Sequence, residues 1–110
     1  MSGINASELL ANMLSAAEGV YGQKWPQVKD YAEAEFEKLA KTLIQIEKLA
    51  VTGQITEGEA SVLLEMQKNT ARAVMLAIEG MGLLLVEQAI NAALQVVKDT
   101  INGVLGFALI

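Results

Sequence analysis

Cysteine and histidine are both absent from this 110-residue chain. Without cysteine there is no disulfide, no thiolate nucleophile and no sulfur ligand for a metal. Without histidine the commonest general base and the commonest transition-metal ligand are missing. Proline occurs once, at Pro26, and aromatic residues make up 5%. Basic residues are sparse: eight Lys and Arg stand against thirteen Asp and Glu, a net charge of −5. A pI near 4.6 and no basic run leave no electrostatic footprint for nucleic acid. Anionic lipid headgroups would repel such a chain. The start "MSGINASELLANML" has no charged n-region and no continuous apolar stretch. No signal peptide is expected there, and a cytoplasmic location is the default.

Apolar residues are what the chain has in excess. They reach 53%, while charged residues fall to 19%. Typical domains hold about 45–50% apolar residues with glycine counted in. Surplus apolar surface calls for a partner, a ligand or a membrane. Beyond Pro26 the composition is dominated by Ala, Leu, Glu, Gln, Lys and Met, the strong helix formers. No alternating strand pattern competes with them. The expected class is all-α in one domain, residues 1–110.

A first helix over about residues 5–18 is marked by Asn5 and Glu8, placed as a capping box, and closed by Gly19 and Gly22. A second, over about 26–52, opens with Pro26 at its first position. Val28, Ala32, Leu39, Leu43, Ile46 and Ala50 recur along it at helical spacing, and Phe36, Ala40 and Ile44 widen the stripe. In "VTGQITEGEA", Gly53 suits a helix end and Thr56 with Glu59 a second capping box, with Ile55 and Ala60 as a staple. So short a connection predicts an antiparallel helical hairpin.

The third helix, over about 56–102, has no clear stop before "TINGVLG". Run straight, it would be about 70 Å long, far beyond a compact chain with a radius of gyration near 13 Å. Either it breaks at Gly80–Gly82 and folds back as a four-helix bundle, or it continues with a kink. On a helical wheel Ser61, Glu65, Lys68, Arg72 and Glu79 share one stripe, and Glu87, Asn91, Gln95, Lys98 and Asn102 another. The stripes differ by about 120°, more than the roughly 70° that supercoiling gives over this distance. No Ser, Thr, Asp or Asn follows Gly80 to cap a new helix, which favours a long kinked helix.

The stretch Met75–Val97 is long enough to span a bilayer. Its Leu, Ile and Val side chains favour insertion by about −3 to −6 kcal/mol, and Glu79 and Glu87 oppose it by about 2.5 kcal/mol each. With Gln88, Asn91 and Gln95 also against it, a membrane span is not expected.

The acidic cluster "DYAEAEFEK" places Asp30, Glu33 and Glu37 on one face, with Lys41 four residues after Glu37. This reads as a solvated face. Glu35 lies on the apolar stripe, either as an inward metal ligand or at its margin near Lys38. Inward glutamates in a bundle invite comparison with ferritin-like di-iron proteins, but their Glu-x-x-His pairs need a histidine. No phosphate loop, EF-hand loop or dinucleotide fingerprint occurs, and no serine has a histidine partner. No catalytic residue, metal ligand or cofactor is assigned.

Partners are a different matter. Leu76 and Leu83 fall on the polar side of the third helix's first half. Leu83, Val86, Ile90, Val97, Ile101 and Val104 form a broad stripe in its second half. The first helix, through Leu9, Leu10, Met13 and Leu14, has about half the length needed to cover them. A second copy of the chain is the expected cover, giving a homo-oligomer through Leu76, Leu83, Val86, Ile90, Val97, Ile101 and Val104. The apolar tail 103–110 is expected to dock in a groove, on its own chain or on a partner protein. Tyr21, Trp25 and Tyr31 are expected at the first helical corner, packing rather than binding. The expected function is a structural or interaction module without catalysis. A carboxylate metal-binding bundle and a membrane-associated helical protein are the alternatives.

Overall fold

The computed structural model describes residues 4–110. Four helices follow one another: α1 (Ala6–Tyr21), α2 (Trp25–Val51), α3 (Glu57–Leu76) and α4 (Leu83–Leu105). A single 3-10 turn, Gly22–Lys24, joins α1 to α2.

Each start and stop has a local cause. The Asn5 side chain accepts the Glu8 backbone N–H at 3.1 Å, which caps α1. That helix runs through Gly19 and stops at Gly22, three residues later than the sequence signals suggest. Gly53, at φ 71°, ends α2. Its N–H donates to the Ala50 carbonyl at 3.1 Å and the Gln54 N–H to Leu49 at 2.8 Å, the paired bonds of a Schellman closure. The Thr56 hydroxyl then accepts the Glu59 N–H at 3.1 Å, and the Glu59 carboxylate accepts the Thr56 N–H at 2.9 Å. The predicted box at Thr56–Glu59 and the hairpin are both present, while α1 shows the Asn5 half of its predicted box.

The long third helix is not. Residues 57–105 form two helices separated at Ala77–Gly82, so the fold is the four-helix alternative. Gly80 adopts φ 85°, which a side-chain-bearing residue enters only at a cost. Gly82 stands at the head of α4 in extended backbone with no side-chain cap. Glycine is itself an acceptable first residue outside a helix, so the missing Ser or Asp did not forbid a break. The decisive groups come from far away in sequence. Lys24 Nζ donates to the Gly80 carbonyl and Gln27 Nε2 to the Glu79 carbonyl, each at 2.7 Å. Met81, between the glycines, is buried and pins the turn to the core.

The helices alternate in direction, and α1 and α3 do not approach one another. The closest partnership is between α1 and α4; α3 lies mainly on α2. At about 1.5 Å per residue α2 is some 40 Å long, which accounts for the 42 Å long axis of a body 23 × 19 Å across. Alanines 17, 32, 40, 60, 71, 89 and 93 are all buried, letting the backbones come close. Met13, Phe36, Leu39, Leu43, Ile46, Met75, Ile90 and Ile101 fill the space between them.

The chain's end is seated on its own core. Helix α4 continues to Leu105, past the expected limit of 102, and Gly106 at φ 80° reverses the backbone. Phe107, Leu109 and Ile110 then pack, half-buried, against the core. The Asn102 side chain holds them by their main chain. Its Oδ1 accepts the Leu109 N–H at 2.9 Å and the Ile110 N–H at 3.1 Å, and its Nδ2 donates to the Ile110 carbonyl at 3.2 Å.

Candidate interaction surface

The residues expected to meet a partner divide into two groups. Val86, Ile90, Val97 and Ile101 are buried within the chain's own core. The cover comes from the chain itself, because the fold-back at Gly80 lets α4 lie along α1 and α2. These four are therefore removed from the surface open to a partner. Val104 is half-buried. Leu83 and Leu76 remain, at 57% and 36% exposure, and Leu84, next to Leu83 in the chain, is 72% exposed.

A second exposed apolar surface, outside the stripe expected from the sequence, lies on α3. With Val62 set at zero, Leu76, Ala73 and Met66 fall within about ±40° of it on the helical wheel. The buried residues of the same helix, Ala60, Leu64, Ala71 and Met75, lie at about 160–220°, on the opposite side. Helix α3 thus has an inner apolar face and an outer one. Val62 and Met66 are 58% and 59% exposed, with Leu63 beside them. The spacing of Val62, Met66, Ala73 and Leu76 was the available signal. It was hidden by the interleaved polar stripe of Glu65, Lys68 and Arg72.

That stripe has structural work of its own. Arg72 joins α3 to α4 through the Glu87 carboxylate and also donates to the Asn69 side chain. Glu65 pairs with Lys68 at 3.3 Å along the helix. The Arg72–Glu87 and Glu65–Lys68 pairs hold the long polar side chains to one flank of the outer apolar face.

The acidic residues are scattered by the fold. Glu37 pairs with Lys41 at 2.9 Å on an exposed face. Glu35 is buried; its Oε2 accepts from Lys38 Nζ at 3.1 Å while its Oε1 has no hydrogen-bond partner. Glu47 is buried too, farther along α2. Among the described residues no three acidic side chains converge as a metal site. No described helix is long and apolar enough to cross a membrane.

At the first corner, Tyr21 and Trp25 lie with ring centroids 6.3 Å apart and tilted by 32°. Tyr31 does not join them; it is an exposed side chain on α2. Burial without a hydrogen-bond partner pushes the Tyr21 phenol up to about 12, because the core cannot solvate a phenolate.

No family model, curated protein or solved structure matches this chain. The surface must be read from its own chemistry.

Proposed function

We propose that the protein is a non-enzymatic interaction module that self-associates through the outer face of α3, with a second copy as occupant. The observation that carries this reading is the pair of opposed apolar faces on α3, of which the chain covers one. A helix whose outward face is meant for water places polar residues there. Val62, Met66 and Leu76 break that rule along its whole length.

The face is also self-complementary. An antiparallel two-fold pairing centred on Asn69 brings the Val62 end of one helix beside the Leu76 end of the other. The long Met66 then meets the small Ala73, and the contact is isologous, so it closes at a dimer. A central polar residue such as Asn69 fixes register at some cost in affinity. Leu83 and Leu84, at the head of α4, are further exposed apolar side chains. The acidic surface disfavours nucleic acid and anionic lipid as alternative occupants. The cytoplasm, an aqueous compartment, suits such a module.

Absolute mass by light scattering in detergent-free buffer tests the reading. The expected result is a dimer that Met66→Glu converts to monomer with helical content unchanged. A monomer at every concentration of the unaltered chain would overturn it.

A further inference from the structure

The pair Asn102–Gly103 sits at the point where α4 holds the tail, and it is the chain's one Asn-Gly sequence. Nothing in the packing asks for glycine at 103. A Cβ placed there would meet no atom within 4 Å, and its φ is not in the left-handed region. Alanine would serve the helix better, since glycine in a helix interior costs about 0.5–1 kcal/mol. Glycine at this position has a chemical consequence. It leaves the backbone nitrogen following Asn102 sterically open to the Asn102 side chain.

We propose that Asn102 is a self-modification site, protected while the tail is seated, and that its conversion to an acid unseats the tail. The Gly103 backbone nitrogen attacks the side-chain carbonyl carbon of Asn102. The bond from that carbon to the amide nitrogen breaks, and ammonia leaves with the proton from Gly103. A cyclic imide remains. Water adds to either of its carbonyls, giving aspartate or isoaspartate. The balance is one water consumed and one ammonia released, with no change of oxidation state.

The seated tail blocks the first step. Oδ1 and Nδ2 are both engaged with residues 109 and 110, so the side chain cannot turn toward its own backbone. The helical conformation keeps the Gly103 N–H directed along α4 rather than at that carbon. Opening of the tail frees the amide and frays the last turn, which Gly106 closes through its N–H to the Asn102 carbonyl at 2.9 Å.

The product cannot restore the clamp. An acid at 102 still accepts from the Leu109 and Ile110 N–H groups. It has lost the donor to the Ile110 carbonyl and sets a carboxylate oxygen against it. Isoaspartate additionally lengthens the backbone inside the last turn. Phe107, Leu109 and Ile110, now packed on the core, would be released to solvent.

The test ages the full chain in mildly alkaline buffer and maps amide-to-acid conversion by peptide mass. Asn91, followed by alanine, is the internal control. Expected are faster conversion at Asn102 than at Asn91, acceleration in Phe107→Asp, and suppression in Gly103→Ala. In Asn102→Asp, hydrogen-exchange protection of the Leu109 and Ile110 amides should fall by about tenfold. Asn102 converting no faster than Asn91 in Phe107→Asp overturns the site. Unchanged protection of the tail in Asn102→Asp overturns the release. Neither result depends on the mass of the unaltered chain, so this inference and the α3 dimer fail separately.

Discussion

Helices α3 and α4 come from one continuous apolar-rich stretch and meet opposite fates. Over 23 residues α4 buries Val86, Ala89, Ile90, Ala93, Leu94, Val97 and Ile101. Over 20 residues α3 buries four side chains, Ala60, Leu64, Ala71 and Met75. The difference lies in what stands beside each helix. Helix α4 has α1 along its length and α2 as well; α3 has α2 and a small contact with α4. An apolar side chain is buried by its neighbours, not by its own character. The helix with fewer neighbours is where surplus apolar surface remains.

That contrast can be broken most strongly from the α4 side. Ile90→Ala, at a fully buried position, should cost about 2–5 kcal/mol, read as a lower urea midpoint. The equally conservative Val62→Ala on α3 should stay within about 0.5 kcal/mol at concentrations where the chain is monomeric. Comparable losses at both sites would show that α3's outer face is covered within the chain.

Alkali attacks the corner where α1 meets α2 without mutation. Tyr21 titrates near 10 when unfolded and is raised to about 12 in the fold. The folded chain therefore keeps its proton where the unfolded chain has lost it. Stability is unaffected below pH 10 and falls as the pH climbs from there to about 12. The loss is on the order of 2 kcal/mol. Tyr21→Phe should remove this slope in chemical denaturation, and should cost little at neutral pH because the hydroxyl has no partner to lose.

A smaller change tests the junction between the two helices. Gly80→Ala must place a side chain at φ 85°, for a loss of about 1–2 kcal/mol measurable by thermal melting. If it instead stabilises the chain, α3 runs on and the fold-back is not the favoured form.

Much of this architecture was legible in advance because its causes are local. Asn5, Pro26, Gly53, Thr56 and Glu59 each act within a few residues of their own position. The break at Gly80–Gly82 was not, because the groups that complete it, Lys24 and Gln27, lie more than fifty residues away. Val86, Ile90, Val97 and Ile101, expected at an interface, are core residues for the same reason. Once α4 folds back, the chain covers them itself. Asn102 was read as part of a wet helix edge with Lys98 and Gln95. Only the returning backbone of Leu109 and Ile110 gives its amide a partner.

The partnership of α1 with α4 also sets an order of events in time. The α2–α3 hairpin closes over a short, doubly capped turn and needs no distant group. Joining α1 to α4 closes a loop that contains both of those helices, and the entropy of that closure must be met before any of its contacts form. Topology therefore predicts that the largest interface, drawn from the first and last helices, forms later than the hairpin. Until it forms, the apolar side of α4 is open to solvent. A chain with a closed hairpin and undocked outer helices would expose that side, and topology predicts it as the form most prone to aggregate.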